Sequence, residues 1–262
     1  MTWNPQDFPR GRGRVDLSVR DRLAVVTFDN PDARNAMSVG MMADVVALVE
    51  KLEEADVSAV LLRGSPGSGF CAGGDLKDVR AHLMTPSAAA GMPAVMGGAL
   101  DRLASLNAVI VAAVEGAALG GGAELLTAAD WVIAADDAQI GFVHAALGVS
   151  PGWGGGHRLV RKVGHRAALP VLVGARKMTA AQSAVLGLVD EVVAQGDAEV
   201  SAREWIGRIL ARPSEAVQGA LQILRAGREQ PDSAADVERA VFQDLWGGPA
   251  HRRALDGVKA GG

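Results

Sequence analysis

The sequence predicts an α/β fold: strand–helix and strand–strand–helix units over residues 1–195, followed by an all-helical region over 196–262. Three observations carry this. Short apolar runs bounded by turn residues alternate with helical patterns through most of the chain. Past residue 199 no strand pattern remains, and helix follows helix. The length of 262 residues and the 49% hydrophobic content are enough to bury one large core.

Each element has its own signal. Residues 1–14 are polar, carry Arg10, Arg12 and Arg14, and read as a surface arm, either a solvated terminus or an anion-binding tail. Residues 15–19 and 23–28 read as two strands joined by a turn at 20–22. Asn30-Pro31-Asp32-Ala33-Arg34-Asn35-Ala36 is a loop by its Pro and Asn content. Ser38 is placed to cap a helix reaching about Glu54, in which Met41, Val45, Val46, Val49 and Leu52 keep helical spacing. Residues 59–62 form a short buried strand, closed by Gly64-Ser65-Pro66-Gly67. A tight turn over 70–75 leads into one or two helices ending about Leu106. Within them, residues 79–96 should line a pocket; Gly91-Met92-Pro93 and weak periodicity mark this stretch as mobile. A strand at 109–114, a helix at 121–129 and a strand at 131–134 follow. A second Gly-rich loop at 152–156 precedes another helix, and 189–193 is the last strand. Helices at 199–211, 213–227 and 233–246 complete the chain.

Composition removes several function classes. The 33 Gly show no G-X-Y period, so collagen is excluded. The single cysteine, Cys71, excludes an internal disulfide framework and a Cys-based zinc cage. The start has no basic region followed by an apolar stretch and a cleavage site, so no signal peptide is expected. The longest apolar run, 108–114, falls far short of the roughly 20 residues that span a bilayer. A soluble, cytoplasmic protein is expected. The net charge of -4 argues against nucleic acid as a partner.

Two Gly-rich turns carry the chemistry. Gly73-Gly74 lets a backbone N–H approach a ligand closely, or serves only as a tight turn. Gly120-Gly121-Gly122 opens a helix and exposes unpaired N–H groups that suit an oxyanion. Glu124, one turn in, either favours the helix dipole or works as a proton-transfer group whose acidity is weakened by its Ala and Leu neighbours. Gly148-Val149-Ser150-Pro151-Gly152 matches a nucleophile elbow as a string, but Pro151 has no N–H for the oxyanion hole. The histidines show no metal-binding spacing, so no metal site is expected. His144 lies in an apolar stretch and reads as a core histidine or a working one.

Taken in order, Asn30-Pro31…Asn35-Ala36, Phe70-Cys71-Ala72-Gly73-Gly74-Asp75-Leu76, Gly120-Gly121-Gly122-Ala123-Glu124-Leu125 and Gly148-Val149-Ser150-Pro151-Gly152-Trp153-Gly154-Gly155 resemble the crotonase (enoyl-CoA hydratase/isomerase) superfamily over roughly 15–255. The resemblance implies a spiral of ββα units with a C-terminal helical trimerisation region, assembled as a homotrimer or a hexamer. It implies an acyl-CoA thioester substrate, with coenzyme A entering as part of it and no separate cofactor. The oxyanion-hole donors would be Gly74 and Gly121. The substrate would be bordered by Ala33, Arg34, Ala36, Ala72, Asp75, Leu76, Gly120, Pro151 and Gly152. Hydratases of the family use two glutamates. One falls on Glu124, but the second falls in Gly141-Phe142-Val143-His144, where this chain offers only His144. That segment, together with Met37-Ser38-Val39-Gly40-Met41-Met42 and Leu245-Trp246-Gly247-Gly248-Pro249-Ala250, is similar to the branch of the superfamily that decarboxylates ethylmalonyl-CoA. The resemblance therefore implies a 2-alkylmalonyl-CoA decarboxylase, with ethylmalonyl-CoA or methylmalonyl-CoA as substrate and Glu124 and His144 as catalytic residues. The alternative is an enoyl-CoA hydratase or isomerase.

Overall fold

In the computed structural model, residues 3–212, 214–226, 242–243 and 246–257 are described. The chain opens with a hairpin of β1 (Arg14–Arg20) and β2 (Leu23–Asp29), paired antiparallel with Arg20 opposite Leu23. Its two-residue turn, Asp21-Arg22, has φ of 49° and 61°, the backbone that matches strand twist. The later strands are β3 (Ala59–Gly64), β4 (Val109–Val114), β5 (Ala117–Leu119), β6 (Trp131–Ala135), β7 (Gln139–Gly141), β8 (Lys177–Thr179) and β9 (Glu191–Val193). The main sheet runs β1-β2-β3-β4-β6-β9, parallel after the first pair. A small second sheet, β5-β7-β8, stands beside it.

The parallel strands are covered on both faces, so they read as continuous apolar runs. Helix α1 (Val39–Glu54), capped by the Ser38 side chain, lies on one face. The two residues of helix α2 that follow its start at Leu76, through Asp78, pass into a π-helical turn at Val79–Leu83. Helix α3 (Pro86–Ala104) then joins α1, and Val60, Leu62, Ile110 and Ala112 meet Met41, Val45, Met96 and Leu100 there. Beyond β5 come α4 (Gly121–Leu126), α5 (Gly155–Val173) and α6 (Ala180–Val185). Helix α7 (Ala198–Leu210) covers the other face, where Ala198, Ala202 and Ile206 pack on Ala59, Leu61, Val109, Val111 and Ile133. Helix α8 (Ser214–Ala226) adds Leu221 to this layer. The alternation along β3 and β4 thus divides one strand between two cores. The first helix of the expected helical region is part of this second core.

Several expectations are corrected. The N-terminal arm is exposed over most of its length, as expected of a surface arm, but its start is anchored: Trp3 is buried, and a β-carbon at Gly91 would lie 2.2 Å from the Trp3 side chain. Arg10 pairs with Asp44 at 2.7 Å, and Arg14 with Asp16 and Asp29. The stretch over 79–96, weakly periodic in sequence, is the π-helical turn at Val79–Leu83 followed from Pro86 by α3. Its buried positions, Ala88, Ala89, Met92, Pro93, Met96 and Gly97, keep helical spacing, but small residues hold many of them and mute the hydrophobic signal. The helix expected over 233–246 lies outside the described residues except for residues 242–243 and 246. A further helix, α9 (Pro249–Gly257), follows it. No helix among the described residues is long and apolar enough to cross a membrane.

Candidate active site

Two glycine turns meet at the end of the small sheet. Met37 N–H donates to the Gly73 carbonyl at 2.7 Å, and Asp75 N–H donates to the Met37 carbonyl at 2.8 Å. This parallel bridge occupies both neighbours of Gly74, so the Gly74 N–H faces away from Met37. On the neighbouring side, Cys71 bridges Ala118, and the chain leaves β5 through Gly120 into α4. Gly121 is the first helical residue, and its N–H has no intrahelical acceptor. Gly73, Gly74, Gly120 and Gly121 all line one cavity. Gly121 has no room for a side chain, because a β-carbon there would lie 2.2 Å from the Trp153 ring.

Glu124 is 1% exposed and fully engaged. Its Oε2 accepts from the N–H groups of Trp153 at 2.7 Å and Gly155 at 2.9 Å. Its Oε1 accepts from the Gly152 N–H at 3.3 Å and lies 3.0 Å from His144 Nε2. The loop holds this shape because Arg158, buried in α5, donates to the Trp153 carbonyl and to Thr127 Oγ1. A β-carbon at Gly155 would lie 2.4 Å from Glu124 Cγ, so glycine there is what allows the N–H to reach the carboxylate.

The acidity of Glu124 runs opposite to the sequence-based expectation. Burial pushes its carboxyl up, but the His144 ring and the N–H groups of Gly155 and Trp153 outweigh burial and hold it below its ordinary value of 4.5. Glu124 is therefore a buried carboxylate that fixes His144. The other ring nitrogen, His144 Nδ1, is buried with no hydrogen-bond partner among the described residues.

Of the residues singled out in the sequence, Ala72, Gly74, Leu76, Gly120, Gly121, Glu124 and His144 line the cavity. Six do not. Gly152, beside Pro151, donates to Glu124 instead. Asp75 accepts from the Lys77 N–H and starts the helical turn. Ala33, Arg34 and Ala36 lie on a loop fixed by buried Asn30 and Asn35; Asn35 accepts from Asn30 N–H and donates to the Gly69 carbonyl. The Arg34 carbonyl accepts from Ala72 N–H at 3.1 Å, which sets this loop against the cavity rim.

Val79 and Met92, both in the stretch expected to line a pocket, do line the cavity. Sequence reasoning missed other parts of the lining, among them Met42 on α1. Phe242, Trp246, His251 and Leu255 come from the C-terminal stretch. That stretch is tied down by the Trp246 indole N–H, which donates to the Leu83 carbonyl, and by Arg80, which donates to the Leu255 carbonyl. Trp246 stood in the segment 245–250 that is similar to the decarboxylating branch, but nothing local to Phe242, His251 or Leu255 points at a site so much earlier in the chain.

A sequence model of the enoyl-CoA hydratase/isomerase family matches residues 19–254. The chain belongs to that family. It is 42% identical over 255 residues to a protein from Danio rerio named ethylmalonyl-CoA decarboxylase, a match covering 95% of this chain and 84% of the relative. A Rattus norvegicus protein of the same name is 35% identical over 255 residues, again covering 95% of this chain and 84% of the relative. Among solved structures, an enoyl-CoA hydratase/isomerase from Mycobacterium paratuberculosis matches with a TM-score of 0.86, over 96% of this chain and 99% of that one. At 21% identity that likeness establishes the crotonase fold.

Proposed function

We propose that this crotonase-family enzyme decarboxylates 2-alkylmalonyl-CoA thioesters, with ethylmalonyl-CoA the leading substrate and methylmalonyl-CoA next. The observation that carries the reading is the partner of Glu124. It is an imidazole at 3.0 Å, not a second carboxylate, in a cavity lined mainly by apolar side chains. Water addition needs two groups that manage protons on either side of a double bond. Decarboxylation needs only an electron sink and one proton. The names of the relatives support the same reading.

The bond between C2 and the carboxylate breaks, CO₂ leaves, and the electron pair moves into the thioester as an enolate. The enolate oxygen lies between the N–H groups of Gly74 and Gly121, which face one cavity. The Glu124–His144 pair then gives C2 a proton, and solvent replaces it. Because Glu124 is held ionised, the imidazole carries that proton and the carboxylate aims the ring. The product is the saturated acyl-CoA.

A competition assay tests this. Ethylmalonyl-CoA, methylmalonyl-CoA and crotonyl-CoA are supplied together and followed by mass spectrometry. Butyryl-CoA and propionyl-CoA should form while crotonyl-CoA persists. Conversion of crotonyl-CoA to 3-hydroxybutyryl-CoA, with the malonyl-type esters untouched, would overturn the proposal.

A further inference from the structure

A malonyl-type thioester brings a carboxylate into the cavity, and some group must tell it from a neutral acyl chain. Glu124 cannot, because its oxygens are already taken by three N–H groups and His144. Among the described residues no Lys or Arg lines the cavity. One lining side chain on the C-terminal stretch has a polar hydrogen to offer. His251, on α9, is 2% exposed and packs tilted against Trp246 with ring centroids 4.6 Å apart. Its Nδ1 accepts from the Gly247 N–H at 2.9 Å. An acceptor nitrogen carries no hydrogen, so the neutral ring holds its hydrogen on Nε2. Burial, with the Arg252 charge beside it, pushes the ring down to about 4, which keeps it neutral at physiological pH.

We propose that His251 Nε2–H binds the carboxylate of the 2-alkylmalonyl group and sets the preference of this cavity for malonyl-type over neutral acyl thioesters. The inference rests on the decarboxylase reading and deepens it. A neutral donor suits the chemistry. A guanidinium or ammonium would stabilise the ground-state carboxylate strongly, and that stabilisation is lost as CO₂ forms. A single neutral hydrogen bond orients the group without holding it back. Orientation matters because the breaking C–C bond must stand across the thioester plane for its electrons to enter the carbonyl. The stacked Phe242–Trp246 pair, 4.8 Å between centroids, supplies an apolar wall beside this donor.

The test compares ligands with and without the carboxylate. Affinities for ethylmalonyl-CoA and butyryl-CoA are measured in the wild type, His251→Phe and His251→Asn, alongside CO₂ release. Phe keeps an aromatic ring against Trp246 and removes the donor; Asn keeps a donor. His251→Phe should weaken ethylmalonyl-CoA about ten- to a hundredfold, as expected for one hydrogen bond to a charged group, while butyryl-CoA changes by about twofold or less. His251→Asn should recover part of the loss. Equal weakening of both ligands would mean that His251 only supports α9, and no weakening of either would mean it does not touch the carboxylate; each overturns the inference. Failure of the parent reading shows separately, as absence of CO₂ release from the wild type. In that case the wild-type preference for ethylmalonyl-CoA over butyryl-CoA, and its loss in His251→Phe, still decides the role of His251.

Discussion

The cavity has two walls made in different ways. One wall, from the spiral, works mainly through backbone: the N–H groups of Gly74 and Gly121 are left open, while those of Gly152, Trp153 and Gly155 are spent on Glu124. The other wall, from residues 242–255, works through side chains: Phe242, Trp246, His251 and Leu255. Backbone donors hold their positions whatever acyl group enters, which suits stabilisation of a charge common to all thioesters. Side chains can be exchanged without disturbing the sheet, which suits selection among acyl groups. The spiral wall should therefore govern kcat and the C-terminal wall should govern KM and preference.

The largest effect should come from the buried carboxylate. Glu124→Gln places an NH₂ against the N–H groups that now donate to Glu124 and removes the charge that holds His144. Turnover should fall about a thousandfold or more, and thermal unfolding should show a loss of about 1–3 kcal/mol for each donor left unsatisfied. Next, Gly121→Ala forces a methyl against the Trp153 ring and displaces the N–H proposed as an oxyanion donor. A fall in kcat of about a hundred- to a thousandfold, with thioester binding retained, is expected from steady-state kinetics. His144→Ala should lower kcat about a hundredfold with KM little changed; an unaffected rate would return His144 to the role of a core histidine.

Acid should act on the same wall. Glu124 is held below 4.5 in the folded protein, so its contribution to stability is present above that value. It is lost as pH falls through the lower, folded value. Melting curves of the wild type should therefore drop more steeply below pH 4.5 than those of Glu124→Gln. The smallest effect should come from the other wall. Phe242→Ala should raise KM for ethylmalonyl-CoA several-fold, leave kcat within about threefold, and shift preference toward longer 2-alkyl groups, as read by competition between esters.

The two walls also differ in how much of them the sequence revealed. The elements of the spiral have strong local signals: β4 is an unbroken apolar run, and α1 has both its Ser38 cap and its helical spacing. The glycine turns stood out because three glycines open a helix right after a strand. The strands of the small sheet did not, since three residues are too few to show a period. The acidity of Glu124 was misjudged for a related reason. Its apolar neighbours in sequence argue for burial alone, whereas the groups that reverse the shift, His144 and the N–H groups of Gly155 and Trp153, come from far along the chain. The role of the C-terminal wall was hidden by distance. Trp246 and His251 reach the cavity through anchors on Leu83 and Arg80, 163 and 175 residues away along the chain from Trp246 and Leu255 respectively.

The central claim is that the enolate is made and protonated on the enzyme, by the Glu124–His144 pair. The most direct measurement is the stereochemistry of butyryl-CoA formed from ethylmalonyl-CoA in D₂O. A proton delivered by a fixed pair reaches one face, so the product should carry one deuterium at C2 in a single configuration. An equal mixture of both configurations would mean that the enolate is protonated free in solvent, and the pair would not be the donor.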